Sequence, residues 1–288
     1  MDRDELLLRI RNTKDLPTLP GVAARIFQVT HDDEASAREL ASIVMNDQSV
    51  SAKVLNLANS AFYGFARMIT TIPQAVVVLG FDTVRSLALS VSVFDALGSP
   101  SSGQVNLDRE AFWMHAIGCG AASRLIATEL GYRDTGTSFM LGLLHDLGKV
   151  IMDTYLNEEY QQVVQEVVEE GRPFSEVESE ILDIDHAEIG GWLAFRWRFP
   201  EVLVAPIEYH HNPLGAEEEH LKETLVVHLA NVLTKRAGIG ACYEDPVLDP
   251  VDMVEGELGI TEERVDFLTK SLHTEKEQIE EFLSYMKA

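Results

Sequence analysis

Several short segments in the second half of the chain place imidazole and carboxylate groups inside otherwise apolar stretches. His115 lies in Phe112-Trp113-Met114-His115, and His145 and Asp146 are adjacent in Gly142-Leu143-Leu144-His145-Asp146-Leu147-Gly148-Lys149. His186 follows in Asp185-His186-Ala187-Glu188, His210 and His211 precede Asn212-Pro213, and Asn231 closes His228-Leu229-Ala230-Asn231. One histidine on a helix is ordinarily a core or surface residue. Several in apolar surroundings each need a polar partner, and a carboxylate buried at Asp146 needs a cation or several donors. Imidazole and carboxylate together suit a first-row divalent cation such as Fe, Mn or Zn. Lys149, one turn past Asp146, has two readings: it holds a phosphate beside a metal, or it pairs with Asp146 as a structural salt bridge. His228, one turn before Asn231, is either a further ligand or a core-facing histidine.

These residues must be positioned by helices. Ser36-Ala37-Arg38-Glu39, Ser175-Glu176-Val177-Glu178 and Thr274-Glu275-Lys276-Glu277 fit the capping-box pattern. Gly80, Gly98, Gly131 and Gly171 each follow a helical pattern, where a left-handed residue is wanted. Val50, Val54, Leu57 and Ala58 form an apolar stripe at helical spacing. Val76-Val77-Val78 has β-propensity, but Pro73 before it and Gly80 after it predict a short buried helix. A helix is expected from about Leu107 to Leu130 around His115, and Pro213 should close another after His211. Gly98-Ser99-Pro100-Ser101-Ser102-Gly103 marks a connection between short helices before it and longer ones after it. The expected architecture is all-α, a helical bundle with an N-terminal layer of short helices and no sheet.

The chain has 288 residues and a formal charge of −24. That balance argues against sequence-independent nucleic-acid binding, which depends on Lys and Arg neutralising phosphates. A bound metal still permits a local anionic site. Cys119 and Cys242 form no CxxC pair and predict reduced, buried thiols. Met1-Asp2-Arg3-Asp4-Glu5 lacks the start of a signal peptide, and the apolar run from Ala75 to Gly80 is too short to span a bilayer. The expectation is a soluble, cytoplasmic protein with neither a membrane nor a nucleic acid as partner. The acidity from Glu244 to Glu281 predicts a solvated helical surface.

The segment Phe139 to Lys149 resembles the HD-domain signature, an apolar helix carrying His-Asp-x-Gly-Lys. The N-terminal part resembles the HDOD family. Its marks are Leu16-Pro17-Thr18-Leu19-Pro20, Ile43-Val44-Met45-Asn46-Asp47, Asn56 through Gly64, and Ile72-Pro73-Gln74-Ala75 through Leu79-Gly80. The resemblance covers about residues 12 to 240. It implies an N-terminal HDOD region over 1–98 and an HD-like metal-site domain over 107–240; the acidic C-terminal helices over 241–288, which it leaves unexplained, are expected to pack on the latter.

HD enzymes are metal-dependent phosphohydrolases. By resemblance, His115, His145 and Asp146 are metal ligands, and Asn231 stands where the family has its final Asp. The related HD-GYP enzymes hydrolyse cyclic di-GMP and carry further ligands, matched here by His186, His210 and His211, with Asp146 bridging two ions. Lys149 matches a lysine that contacts substrate phosphate. Three departures stand against this. Asn231 is a neutral amide; Ala111 sits where some of those enzymes have a carboxylate; and Asn212-Pro213-Leu214-Gly215 replaces the Gly-Tyr-Pro motif. The cofactor implied is a divalent metal, Fe or Mn by analogy, with Zn or Ni as alternatives, in a mononuclear or dinuclear site. The family implies bacterial signalling, through a protein partner or a nucleotide ligand. Three functions follow: a regulatory protein on a degenerate HD scaffold, a working phosphohydrolase with Asp146 and Lys149 in catalysis, or a structural module whose histidines satisfy one another.

In the N-terminal part, Asn59 and Ser60 are read as local turn or capping residues. Phe62, Tyr63 and Phe65 are the alternative, an aromatic surface for a partner. His31-Asp32-Asp33-Glu34 looks like a solvated loop.

Overall fold

The computed structural model describes residues 3–12, 16–29, 34–98, 106–240 and 251–288. His31 and Cys242 lie outside them. Among the described residues the secondary structure is helical throughout, apart from turns. Before the connection come α1 (Arg3–Asn12), α2 (Gly21–Ile26), α3 (Glu34–Met45), α4 (Gln48–Ala58), α5 (Ile72–Leu79) and α6 (Phe81–Leu97). After it come α7 (Arg109–Glu129), α8 (Thr135–Leu144), α9 (Leu147–Tyr155), α10 (Asn157–Glu170), α11 (Phe174–Leu182), α12 (His186–Arg196), α13 (Glu201–Tyr209) and α14 (Leu221–Arg236). The described chain ends with α15 (Val251–Leu258), α16 (Glu262–Thr274) and α17 (Lys276–Lys287). The protein is all-α, as its patterning predicts.

The helix starts are set by other residues than the capping boxes. Asp47, Thr71, Asp108, Asp134 and Asp185 each accept from a first-turn backbone amide, an arrangement contributing about 1 kcal/mol per helix. Ser36 lies inside α3 and Ser175 inside α11, while Thr274 ends α16 and donates back to the Ser271 carbonyl. Gly80, Gly131 and Gly171 take positive φ as expected. Gly98 does not; its φ of −71° is right-handed. The valine run is helical, as predicted, but not buried. Ile72 and Ala75 face inward, whereas Val77 is 85% exposed and Val78 is 41% exposed. Nor is the N-terminal part built of short helices alone, because α6 has 17 residues and packs along α8.

One apolar core runs through the described helices, including Val84 and Leu87 of α6, Ile117 of α7, Leu143 of α8 and Phe282 of α17. α7 is its spine, packed on α8, α14, α16 and α17. The acidic helices α16 and α17 turn Val265, Leu268, Leu272, Ile279, Phe282, Leu283 and Met286 inward. Phe62 joins Phe139 and Phe282 at centroid distances of 5.6 and 5.3 Å, under an Arg124 guanidinium 3.7 Å from its ring. Such aromatic pairs contribute about 0.5–1.5 kcal/mol each beyond their buried area.

The turn after α4 is clipped locally. Asn59 donates to the carbonyls of Leu55 and Ile69 and accepts from the Ile69 amide, and Ser60 donates to Leu57. Of the three aromatics there, Phe62 is buried, Tyr63 is half-buried and Phe65 is 45% exposed. The Leu16–Pro20 segment is held by the Trp197 indole, which donates to the Pro17 carbonyl at 3.0 Å. No helix among the described residues is long and apolar enough to cross a membrane.

Candidate metal centre

The His-Asp signature does not lie within one helix. α8 ends at Leu144, α9 begins at Leu147, and the break between them carries His145 and Asp146. Two glycines let neighbouring helices close on this break. A Cβ at Gly142 would fall 2.3 Å from the Cys119 carbonyl oxygen, and one at Gly148 would fall 1.8 Å from the His186 carbonyl oxygen. Only a glycine fits either crossing. Through them α7 brings His115 and Cys119 to one side of the break, and α12 brings His186 to the other. His210, at the end of α13, and His211 complete the second side.

Asp146 is buried at the centre and its two oxygens face opposite ways. Oδ2 lies 3.4 Å from His145 Nε2, 3.9 Å from His115 Nε2 and 2.8 Å from the Lys149 ammonium. Oδ1 lies 3.1 Å from His186 Nε2 and 3.4 Å from His210 Nε2, but in hydrogen-bonding geometry with neither. His211 Nε2 is 2.8 Å from His186 Nε2. Two donor sets result: Asp146, His186, His210 and His211 in one half, and His115, Cys119 and His145 in the other.

The ring orientations are fixed from behind. Nδ1 of His145 donates to the Gly142 carbonyl, that of His210 to Ile207, and that of His186 to Glu178 at 2.5 Å. Each anchor leaves Nε2 facing the centre, the arrangement in which outer partners orient metal-binding histidines. Asn231, on α14, is buried, and its Oδ1 has no hydrogen-bond partner; the same holds for His210 Nε2. Buried polar atoms without partners are costly, and the two clusters of His, Cys and Asp donors around Asp146 fit a first-row divalent cation. His228 lies nearby in another role, its Nδ1 donating to the His210 carbonyl at 2.7 Å. Lys149 is buried and ion-paired with Asp146, its ammonium 5.0 Å from the Phe174 ring centroid.

Three side chains here carried no site reading in the sequence. Cys119 was legible only as a buried thiol, although it stands one turn from His115. Glu178, fully buried, accepts from the His186 amide and ring and from the Tyr160 hydroxyl. Asp153 accepts from the amides of Asn106 and Leu107 and from Arg109, which fixes the entry into α7.

The charges are strongly coupled. Burial opposes ionisation of Asp146, but His145, Lys149 and His186 outweigh it and hold the carboxyl well below its usual range. Burial likewise opposes charge on His145, yet Asp146 and Cys119 hold it up at about 10. His186 stands at about 9, where Glu178 and Asp146 overcome burial. Burial would raise the Cys119 thiol, but His115 and His145 bring it down to about 5. His210 is pushed down to about 3 by burial, and His211 is also lowered, chiefly by burial.

His145 and His186 are therefore held protonated at neutral pH, and a cation taken up between these rings would have to displace those protons. Metal affinity should rise with pH from 6 to 8, by up to about a hundredfold per unit if both protons leave. Calorimetric titration in buffers of different ionisation enthalpy reads the protons released. In the metal-free protein the sign is opposite. Raised histidines stabilise the fold fully below their ordinary pKa, and that contribution fades as the pH climbs through about 9 to 10.

The chain is all-helical and sets an aspartate between two histidine sets at a helix break. Residues 16–213 match the HDOD domain, more than half of the chain, and the protein belongs to the HDOD family. An uncharacterized protein of Treponema pallidum (strain Nichols) is 27% identical over 219 residues, a stretch covering 76% of this chain and 42% of that relative. The chain thus spans less than half the length of that curated relative. Among solved structures, an HDOD domain protein of unknown function from Geobacter sulfurreducens superimposes with a TM-score of 0.80 at 28% identity, covering 96% of this chain and 97% of its own. A Marinobacter aquaeolei VT8 protein, provisionally named a signal transduction protein, gives a TM-score of 0.79 at 24% identity, covering 99% of this chain and 66% of its own.

Proposed function

We propose that this protein is a bacterial signalling regulator that binds one or two divalent cations at a degenerate HD phosphohydrolase site and acts through a protein partner or a nucleotide ligand. The observation that carries it is the pairing of a complete bridging arrangement at Asp146 with an amide at Asn231. Fe or Mn is the metal by analogy with dinuclear relatives, with Zn or Ni as alternatives. A bound divalent ion supplies Lewis acidity and activates water. Asp146 orients toward both halves, Lys149 places a positive charge beside it, and Asn231 offers a dipole where the HD pattern has a charge. The name of the Marinobacter structure and the family's association with regulation point the same way.

An active phosphohydrolase is the second reading, favoured by the buried Lys149 ammonium next to Asp146, where it would meet a phosphate. Asn231→Asp separates the two. Under the regulatory reading, the substitution raises metal occupancy of the His115/His145 half, read by elemental analysis, while the parent protein hydrolyses generic phosphodiesters slowly or not at all. Robust metal-dependent turnover by the parent would overturn that reading in favour of the hydrolase.

A further inference from the structure

We infer that Cys119 is a metal ligand in the His115/His145 half, a thiolate that makes this half a zinc or ferrous-iron site and disfavours manganese. The inference rests on the metal-binding reading above and goes beyond it in naming a ligand and the cation class it selects.

His115 and Cys119 stand four residues apart on α7 and share the face that meets the helix break. Cys119 is fully buried, with Sγ 3.5 Å from His115 Nε2 and 4.0 Å from His145 Nε2. In a tetrahedral zinc site with bonds of about 2.3 Å to sulfur and 2.0–2.1 Å to nitrogen or oxygen, ligand atoms lie about 3.3–3.6 Å apart. The Cys119–His115 and His145–Asp146 edges are 3.5 and 3.4 Å. The Cys119–His145 and His115–Asp146 edges are 4.0 and 3.9 Å. Four of the six edges that two imidazole nitrogens, a carboxylate oxygen and a sulfur would define around one ion therefore lie within about half an ångström of the tetrahedral spacing.

Charge gives the reason for a thiolate. Asn231 brings no charge, and the Asp146 carboxylate is shared with the opposite half and with Lys149. Cys119 supplies from α7 the anionic ligand that α14 lacks. The opposite half holds oxygen and nitrogen donors only. Soft sulfur favours zinc and iron over manganese and magnesium, so the two halves differ in preference.

The test is reconstitution of the full metal-free chain with Co(II) in thiol-free buffer. The expected result is about two cobalt ions per chain and a thiolate-to-cobalt charge-transfer band in the near ultraviolet. Cys119→Ser should abolish the band and reduce binding to about one ion, while Cys242→Ser leaves both unchanged. Retention of that one ion shows that the Cys119 variant is folded. If it is not folded, the parent and the Cys242 variant decide, because a band that survives Cys242→Ser can come only from Cys119. Cobalt bound without a thiolate band, or a band lost with Cys242, would overturn the role of Cys119 and leave the metal reading standing. No cobalt bound at all would overturn both.

Discussion

Asp146→Ala is expected to release metal from both halves at once. It is the one carboxylate among the described residues that reaches both histidine sets, through Oδ2 on one side and Oδ1 on the other. Each half loses a charged ligand, so affinity should fall by more than about a hundredfold, beyond the 10–100-fold typical of losing an outer partner. The metal-free fold suffers too. Lys149 and the raised histidines lose their counter-charge in a buried setting, which typically costs roughly 3–5 kcal/mol. The carboxyl is held well below its ordinary 3.8, so its contribution is full above that pH and fades as the pH falls below it. Parent and variant melting temperatures should therefore differ most near neutrality and converge in acid. Elemental analysis and thermal unfolding at two pH values check both parts. Retention of metal by the variant in either half would show that Asp146 does not bridge them.

Much of this centre can be read from residue types, because imidazole and carboxylate inside apolar helices have few other reasons to be there. His115, His145, Asp146, His186, His210 and His211 all stand out in that way, and the structure brings them together around Asp146. The break between α8 and α9 leaves a weaker trace. No proline or glycine sits at His145-Asp146, and His145 keeps right-handed angles at the end of α8, so the local sequence reads as one continuous helix. Two tight helix crossings, at Gly142 and Gly148, flank the break, and such crossings are tertiary features. The capping boxes failed for a related reason. Ser and Glu at the right spacing satisfy the pattern within a helix as well as at its start, and among the described residues the side-chain caps are aspartates and a threonine with extended or near-extended backbone. Val77 shows the limit of hydrophobicity as a guide, because a short apolar helix reads the same whether one side or all of it is covered.

Glu178 is the residue that the pattern misassigned most: it fills the last position of a capping box, yet its side chain is fully buried. Oε2 accepts from the His186 amide at 2.9 Å and from Nδ1 at 2.5 Å, and Oε1 accepts from the Tyr160 hydroxyl at 3.1 Å. The Tyr160 hydroxyl is pushed well above its ordinary range, first by burial and then by Glu178. Two variants separate orientation from support. Glu178→Ala leaves three buried donors without an acceptor, at about 1–3 kcal/mol for each unsatisfied group, and should lower the melting temperature sharply. Glu178→Gln keeps the volume and one acceptor but removes the charge that orients the imidazole and strengthens its basicity. It should weaken metal at the His186/His210/His211 half by about 10–100-fold and spare the His115/Cys119/His145 half. In a calorimetric titration, one phase moves while the other stays. A Gln variant whose metal titration superimposes on the parent's would make Glu178 a purely structural acceptor, with the His186 ring held by packing alone.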